Sequence, residues 1–87
     1  VNDNYQVISD GTTVWVNHSS GYCAARFGRF GIDIHNSPDD QERTGEQCLY
    51  CTHGAVKAVD WITFTEKVME LFGVTVEDKH CPDRLRC

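Results

Sequence analysis

The sequence predicts an α+β fold: a four-stranded antiparallel meander packed against one main C-terminal helix, with a small Cys/His-rich loop between them. Three observations predict it. An Asp10-Gly11 pair separates two alternating apolar runs, and an Arg-Phe-Gly repeat sits inside a second such pair. The apolar residues from Trp61 to Phe72 then recur at helical spacing.

Residues 5–16, YQVISDGTTVWV, read as a hairpin, because Asp-Gly supplies the positive φ that a two-residue type I′ turn needs. Counting outward pairs Val7 with Val14 and Tyr5 with Val16. These four share the core face, and Gln6 and Trp15 take the other. Asn17-His18-Ser19 also fits a glycosylation acceptor, a triplet common enough by chance to carry little weight.

Residues 25–35, ARFGRFGIDIH, predict a second hairpin over about 22–27 and 30–35, with Gly28-Arg29 as a type II′ turn. That register pairs Phe27 with Phe30, Ala25 with Ile32 and Cys23 with Ile34, an unbroken apolar or small face. The opposite face carries Tyr22, Ala24, Arg26, Gly31, Asp33 and His35. The ordinary reading is a solvated sheet surface with one weak ion pair between Arg26 and Asp33. The functional reading is a shallow ligand site. Arg26 supplies the charge, Asp33, His35, Tyr22 and Trp15 stand around it, and small residues leave room between.

Residues 36–47 contain Ser37-Pro38, acidic residues and Gly45, which predict one or two helical turns or a mobile loop. DWITFTEKVMELFG, residues 60–73, is the clearest helix, capped by Asp60 and ended by Gly73. Its stripe of Trp61, Phe64, Val68, Leu71 and Phe72 belongs to the core and needs no cofactor to explain it. Residues 74–76, VTV, are apolar enough for a short strand, and the tail is polar and irregular.

CLYCTHG is the strongest chemical signal. Cys48 and Cys51 have the two-residue separation that lets two thiolates reach one ion from a turn, with His53 next and His80 beyond the helix. A structural zinc on Cys48, Cys51, His53 and His80, with Cys81 or Cys87 as substitutes, would tie loop to tail in a short chain. The spacing matches no standard zinc finger. Structural disulfides and unmodified thiols both compete with zinc, and five cysteines leave at least one out of any all-disulfide scheme. A redox pair is disfavoured, because no helix N-terminus follows directly to activate it. Cys23 falls on the apolar face of the second hairpin, as a core residue.

With 87 residues, 40% of them hydrophobic, the chain suits one domain over 1–87, near the lower size limit for a self-sufficient core. No apolar run approaches the roughly 20 residues of a membrane-spanning helix, and no stretch reads as a signal peptide. A net charge of −5 with no basic block argues against phosphate-driven nucleic-acid binding. A small anion held by a few arginines, or a protein partner, fits better.

The runs WVN, Gly21 to His35, QCLYCTH, Asp60-Trp61 with Phe64, and His80 with Pro82 resemble a group of small uncharacterised proteins encoded in phage and prophage genomes. The resemblance covers most of the chain from Trp15 to Pro82. It implies a phage accessory protein in the cytoplasm of a bacterial host, where thiols or metal are favoured over disulfides. No site residue carries over. The expected function is therefore a small non-catalytic binding protein. It would engage a host defence component or sequester a small anionic, nucleotide-like ligand, with a homodimer as a way to close the pocket. A metal-dependent hydrolase using Asp33, His35, His53 and His80, or a zinc-stabilised interaction module, is the alternative.

Overall fold

The computed structural model describes residues 4–35 and 48–85. Its sheet has five strands in simple sequential order, all antiparallel: β1 (Tyr5–Ser9), β2 (Val14–His18), β3 (Cys23–Gly28), β4 (Gly31–His35) and β5 (Cys48–His53). One helix, α1 (Ala58–Phe72), and two short 3₁₀ turns, Asp78–His80 and Asp83–Leu85, complete the chain. The α+β class and the meander agree with the sequence, but the meander gains a strand. CLYCTH is not a loop. It pairs with β4 along its length, and its Tyr and Thr residues suit a pleated surface. The expected helical turns at 36–47 lie outside the described residues.

Both predicted hairpins form, each with its pairing shifted by two residues. In the first, Val7 faces Val16 and Ser9 faces Val14, leaving a four-residue loop over 10–13. Asp10 decides this. Its carboxylate accepts from the backbone N–H of Thr12 (2.9 Å) and Thr13 (2.8 Å) and from the Thr12 hydroxyl (2.9 Å). Such a side-chain turn stabilises a longer loop than the two-residue type I′ turn. Those hydrogen bonds hold the Asp10 carboxyl below its ordinary value.

In the second hairpin Phe27 faces Ile32 and Ala25 faces Ile34, while Gly28 and Gly31 face each other across an Arg29-Phe30 turn. Phe30 is thus at the tip, 74% exposed, and not a core partner of Phe27. Gly31 is the reason. A Cβ there would collide with the Thr52 carbonyl oxygen on β5, so the glycine belongs in the ladder, with the turn ahead of it. The Gly54 N–H then donates to the Phe30 carbonyl at 2.8 Å and ties the tip to the end of β5. A slip of two keeps each residue's face, so Val7, Val14, Val16, Ala25, Phe27, Ile32 and Ile34 stay on the core side despite both register errors.

That inner face carries Val14, Val16, Ala25, Phe27, Ile32 and Ile34, each at 0–1% exposure. Helix α1 lies against it through Trp61, Phe64 and Val68, and the Phe27 ring meets Trp61 edge-on at 5.2 Å and Phe64 at 5.4 Å. Leu71, expected on the stripe, is 39% exposed near the end of the helix, while Phe72 packs on Tyr5 at 5.2 Å. The helix begins two residues before Asp60. Lys57 is the N-cap, and the Asp60 carboxylate reaches back to its N–H at 2.7 Å. Gly73 ends it in the left-handed conformation, its N–H donating to Met69. Val74 and Val76 form no strand; they are buried plugs of the core.

The tail returns along β1. Ser9 Oγ donates to the His80 carbonyl at 3.1 Å, and the Asp83 N–H donates to Gly11 at 3.2 Å.

Candidate functional site

Helix α1 covers one face of the sheet. The opposite face bears a row of side chains that crosses all five strands: Ile8, Trp15, Arg26, Asp33 and Cys51 are cross-strand partners in succession. Strand alternation puts them together, because each lies one position from an inward apolar residue. Arg26 and Asp33 are direct cross-strand partners, joined at 2.5 Å with side chains 56% and 22% exposed. At that exposure the pair contributes about 0.2–1 kcal/mol to stability and mainly fixes where the guanidinium lies.

Toward the hairpin tips this face hollows into a concavity of about 500 Å³, lined by Thr13, Trp15, Arg26, Gly28, Arg29, Phe30, Gly31, Asp33, Thr52 and His53. Gly28 and Gly31, which face each other at the end of the β3–β4 ladder, are both in its lining. Arg29 and Phe30 form one wall, with the guanidinium 6.0 Å from the ring centroid. Neither Arg29 nor Phe30 was expected at the site. The signal lay in the repeat itself: with the turn moved onto its second Arg-Phe, both side chains must project from the tip.

The remaining expected residues divide. His35 lies on the same face as Asp33, two positions along β4 and outside the concavity, and its Nδ1 is buried with no hydrogen-bond partner. Tyr22 is elsewhere. A bulge places Asn17 opposite Cys23 where Val16 faces Ala25, and Tyr22 falls ahead of β3, stacked on His18 at 5.0 Å. His18 in turn meets Tyr5 at 4.9 Å. Burial, and then Tyr22 beside it, push the Tyr5 phenol upward. The same bulge buries Ala24 completely, so it opens no space beside Arg26.

The expected zinc set is not assembled as expected. Cys51 and His53 share the outer face of β5, and the Cys48 side chain lies outside the described residues. His80 is anchored beside β1, the far edge of the sheet, about 19 Å away at four strand spacings. Cys51 and Cys81 are both disulfide-bonded. Cys51 lies on the outer face of β5, and Cys81 lies within the core cluster. Cys23 keeps its thiol, half-buried and donating to the Ala25 carbonyl at 3.1 Å, and burial raises its pKa. The structure brings together a group that spacing did not suggest: Asp33, His35 and Cys51 place ligand atoms within 4.8 Å of one another.

Among the described residues no helix is long and apolar enough to cross a membrane. No family model, curated protein or solved structure matches the chain.

Proposed function

We propose that the protein is a small non-catalytic binding protein whose outer sheet face takes a small anionic ligand with a flat, nucleotide-like ring. One observation carries this reading: a concavity of about 500 Å³ on the face that α1 leaves uncovered, where Trp15 and Phe30 stand with Arg26, Arg29 and His53. Its volume falls in the range of small-molecule sites, about 300–1,000 Å³. Trp15 and Phe30 supply flat apolar surfaces for a ring. Arg29 supplies a positive charge at the mouth, and Arg26, oriented by Asp33, supplies directed N–H donors. In a phage accessory protein such a ligand would be a nucleotide-like molecule of the bacterial host, held away from a defence component.

The test is isothermal titration of the full chain with nucleoside monophosphates, triphosphates and cyclic dinucleotides, with native mass spectrometry reporting stoichiometry and oligomeric state. Binding of one class is expected, weakened at least about tenfold by Arg29→Ala and by Trp15→Ala, with the melting temperature little changed. Binding that neither variant alters, or no binding by any of these anions, overturns the reading. The group Asp33, His35 and Cys51 supports a second reading, a zinc centre, which requires Cys51 to be a thiolate.

A further inference from the structure

Asp33 and His35 are two residues apart on the outer face of β4, and Cys51 is the cross-strand partner of Asp33 on β5. One ligand atom from each lies within 4.8 Å of the others. In a tetrahedral zinc site, bonds of about 2.0–2.3 Å place neighbouring ligands roughly 3.3–3.8 Å apart, so modest side-chain rotation closes the set. A second observation falls on one of these three residues. The Nδ1 of His35 is buried and meets no hydrogen-bond partner, a condition that folded proteins rarely leave unanswered. Asp33 is already oriented by Arg26, which engages one carboxylate oxygen and leaves the other to a further partner. One fact opposes a metal: the Cys51 sulfur is in a disulfide and offers no thiolate.

We propose that Asp33, His35 and Cys51 form a redox-gated zinc site, shut while Cys51 is disulfide-bonded and competent once it is reduced. The gate needs a dithiol of the kind that keeps a cytosol reducing. The Cys51 disulfide breaks, the two sulfurs of the reductant join each other, and their two protons pass to the released thiols. Zn²⁺ then takes Cys51 as thiolate, and the thiol proton leaves to solvent. A sulfur, nitrogen and oxygen set suits Zn²⁺ better than Mg²⁺ or Ca²⁺. Three protein ligands leave a fourth position open, the arrangement of a zinc that binds an outside oxygen. The site shares Asp33 with the concavity and stands whether or not an anion binds there.

The experiment uses the full chain, oxidised or reduced by a water-soluble phosphine. The phosphine takes up the oxygen of a water molecule, and the protons of that water end on the two thiols. Each form is titrated with Co²⁺ and then Zn²⁺, followed by absorption and native mass spectrometry. The reduced chain is expected to take one Co²⁺ with a thiolate-to-cobalt charge-transfer band, displaced by Zn²⁺, and the oxidised chain to take none. His35→Ala and Asp33→Asn should each weaken binding at least about tenfold. Equal binding by the oxidised chain, no binding by the reduced chain, or wild-type affinity in both variants overturns the proposal. Should reduction unfold the chain, circular dichroism of a reduction carried out with Zn²⁺ present decides. A fold held by Zn²⁺ in the wild type but not in His35→Ala supports the site; a fold held in neither overturns it.

Discussion

The two faces of the sheet are built from the same strands and answer to different demands. On the inner face Val14, Val16, Phe27, Ile32 and Ile34 are completely buried under α1. On the outer face, one residue along each strand, Trp15, Arg26, Asp33 and Cys51 run in a row with no helix above them among the described residues. The inner face is held by apolar area and close packing, which depend on shape and volume. The outer face carries an ion pair, a buried imidazole nitrogen and a disulfide sulfur side by side, groups whose value is chemical. Stability and candidate function are therefore separated by a single step of strand alternation, and substitutions on the two faces should have different consequences.

The largest effect should come from the inner face. Phe27→Ala removes the ring that Trp61 and Phe64 pack against and leaves a cavity at the centre of the core. A loss of about 3–5 kcal/mol is expected, a large part of what an 87-residue domain has. Urea unfolding measures it, and a Trp15→Ala change of comparable size would break the separation of the faces. Next comes the edge where the faces meet. Gly31→Ala should cost about 1–3 kcal/mol, because the new methyl group meets the Thr52 carbonyl oxygen and pushes β5 from β4. Hydrogen exchange should show the loss concentrated in 48–53, and uniform loss would mean that β5 is not a separable edge.

The smallest effect should come from the loop between β1 and β2. The Asp10 carboxyl sits below its ordinary value because backbone and side-chain donors hold the charged form. Its contribution is present above the unfolded carboxylate value and is lost as pH falls through the folded one. Asp10→Asn should flatten that acid limb in thermal melts while changing little at pH 7. An unchanged slope would mean the loop does not rest on that charge.

The fold was largely legible in the sequence, and the site only in part. Apolar alternation gave the inner faces of β1, β2 and β4, and helical spacing gave Trp61, Phe64 and Val68. Neither depends on which residue pairs with which. Register was less legible, because the side chains of Asp10 and the missing Cβ of Gly31 choose the loop, and both act through neighbours distant in sequence or through hydrogen bonds that a turn motif does not count. Of the expected ligand residues, Trp15, Arg26 and Asp33 line the concavity, while Tyr22 was lost to a bulge that no local pattern announced.

The sequence by itself determined the period of β1 to β4 and of the helix, the side of β1, β2 and β4 that turns inward, and the left-handed glycine that stops the helix. These follow from residue type and spacing alone. Only the tertiary structure decided that CLYCTH is a fifth strand. That pairing placed Cys51 beside Asp33 and His35 and left His80 at the other edge. The reason is physical. A strand edge offers unpaired backbone donors and acceptors to any segment that can reach it, and which segment reaches it is settled by the whole chain.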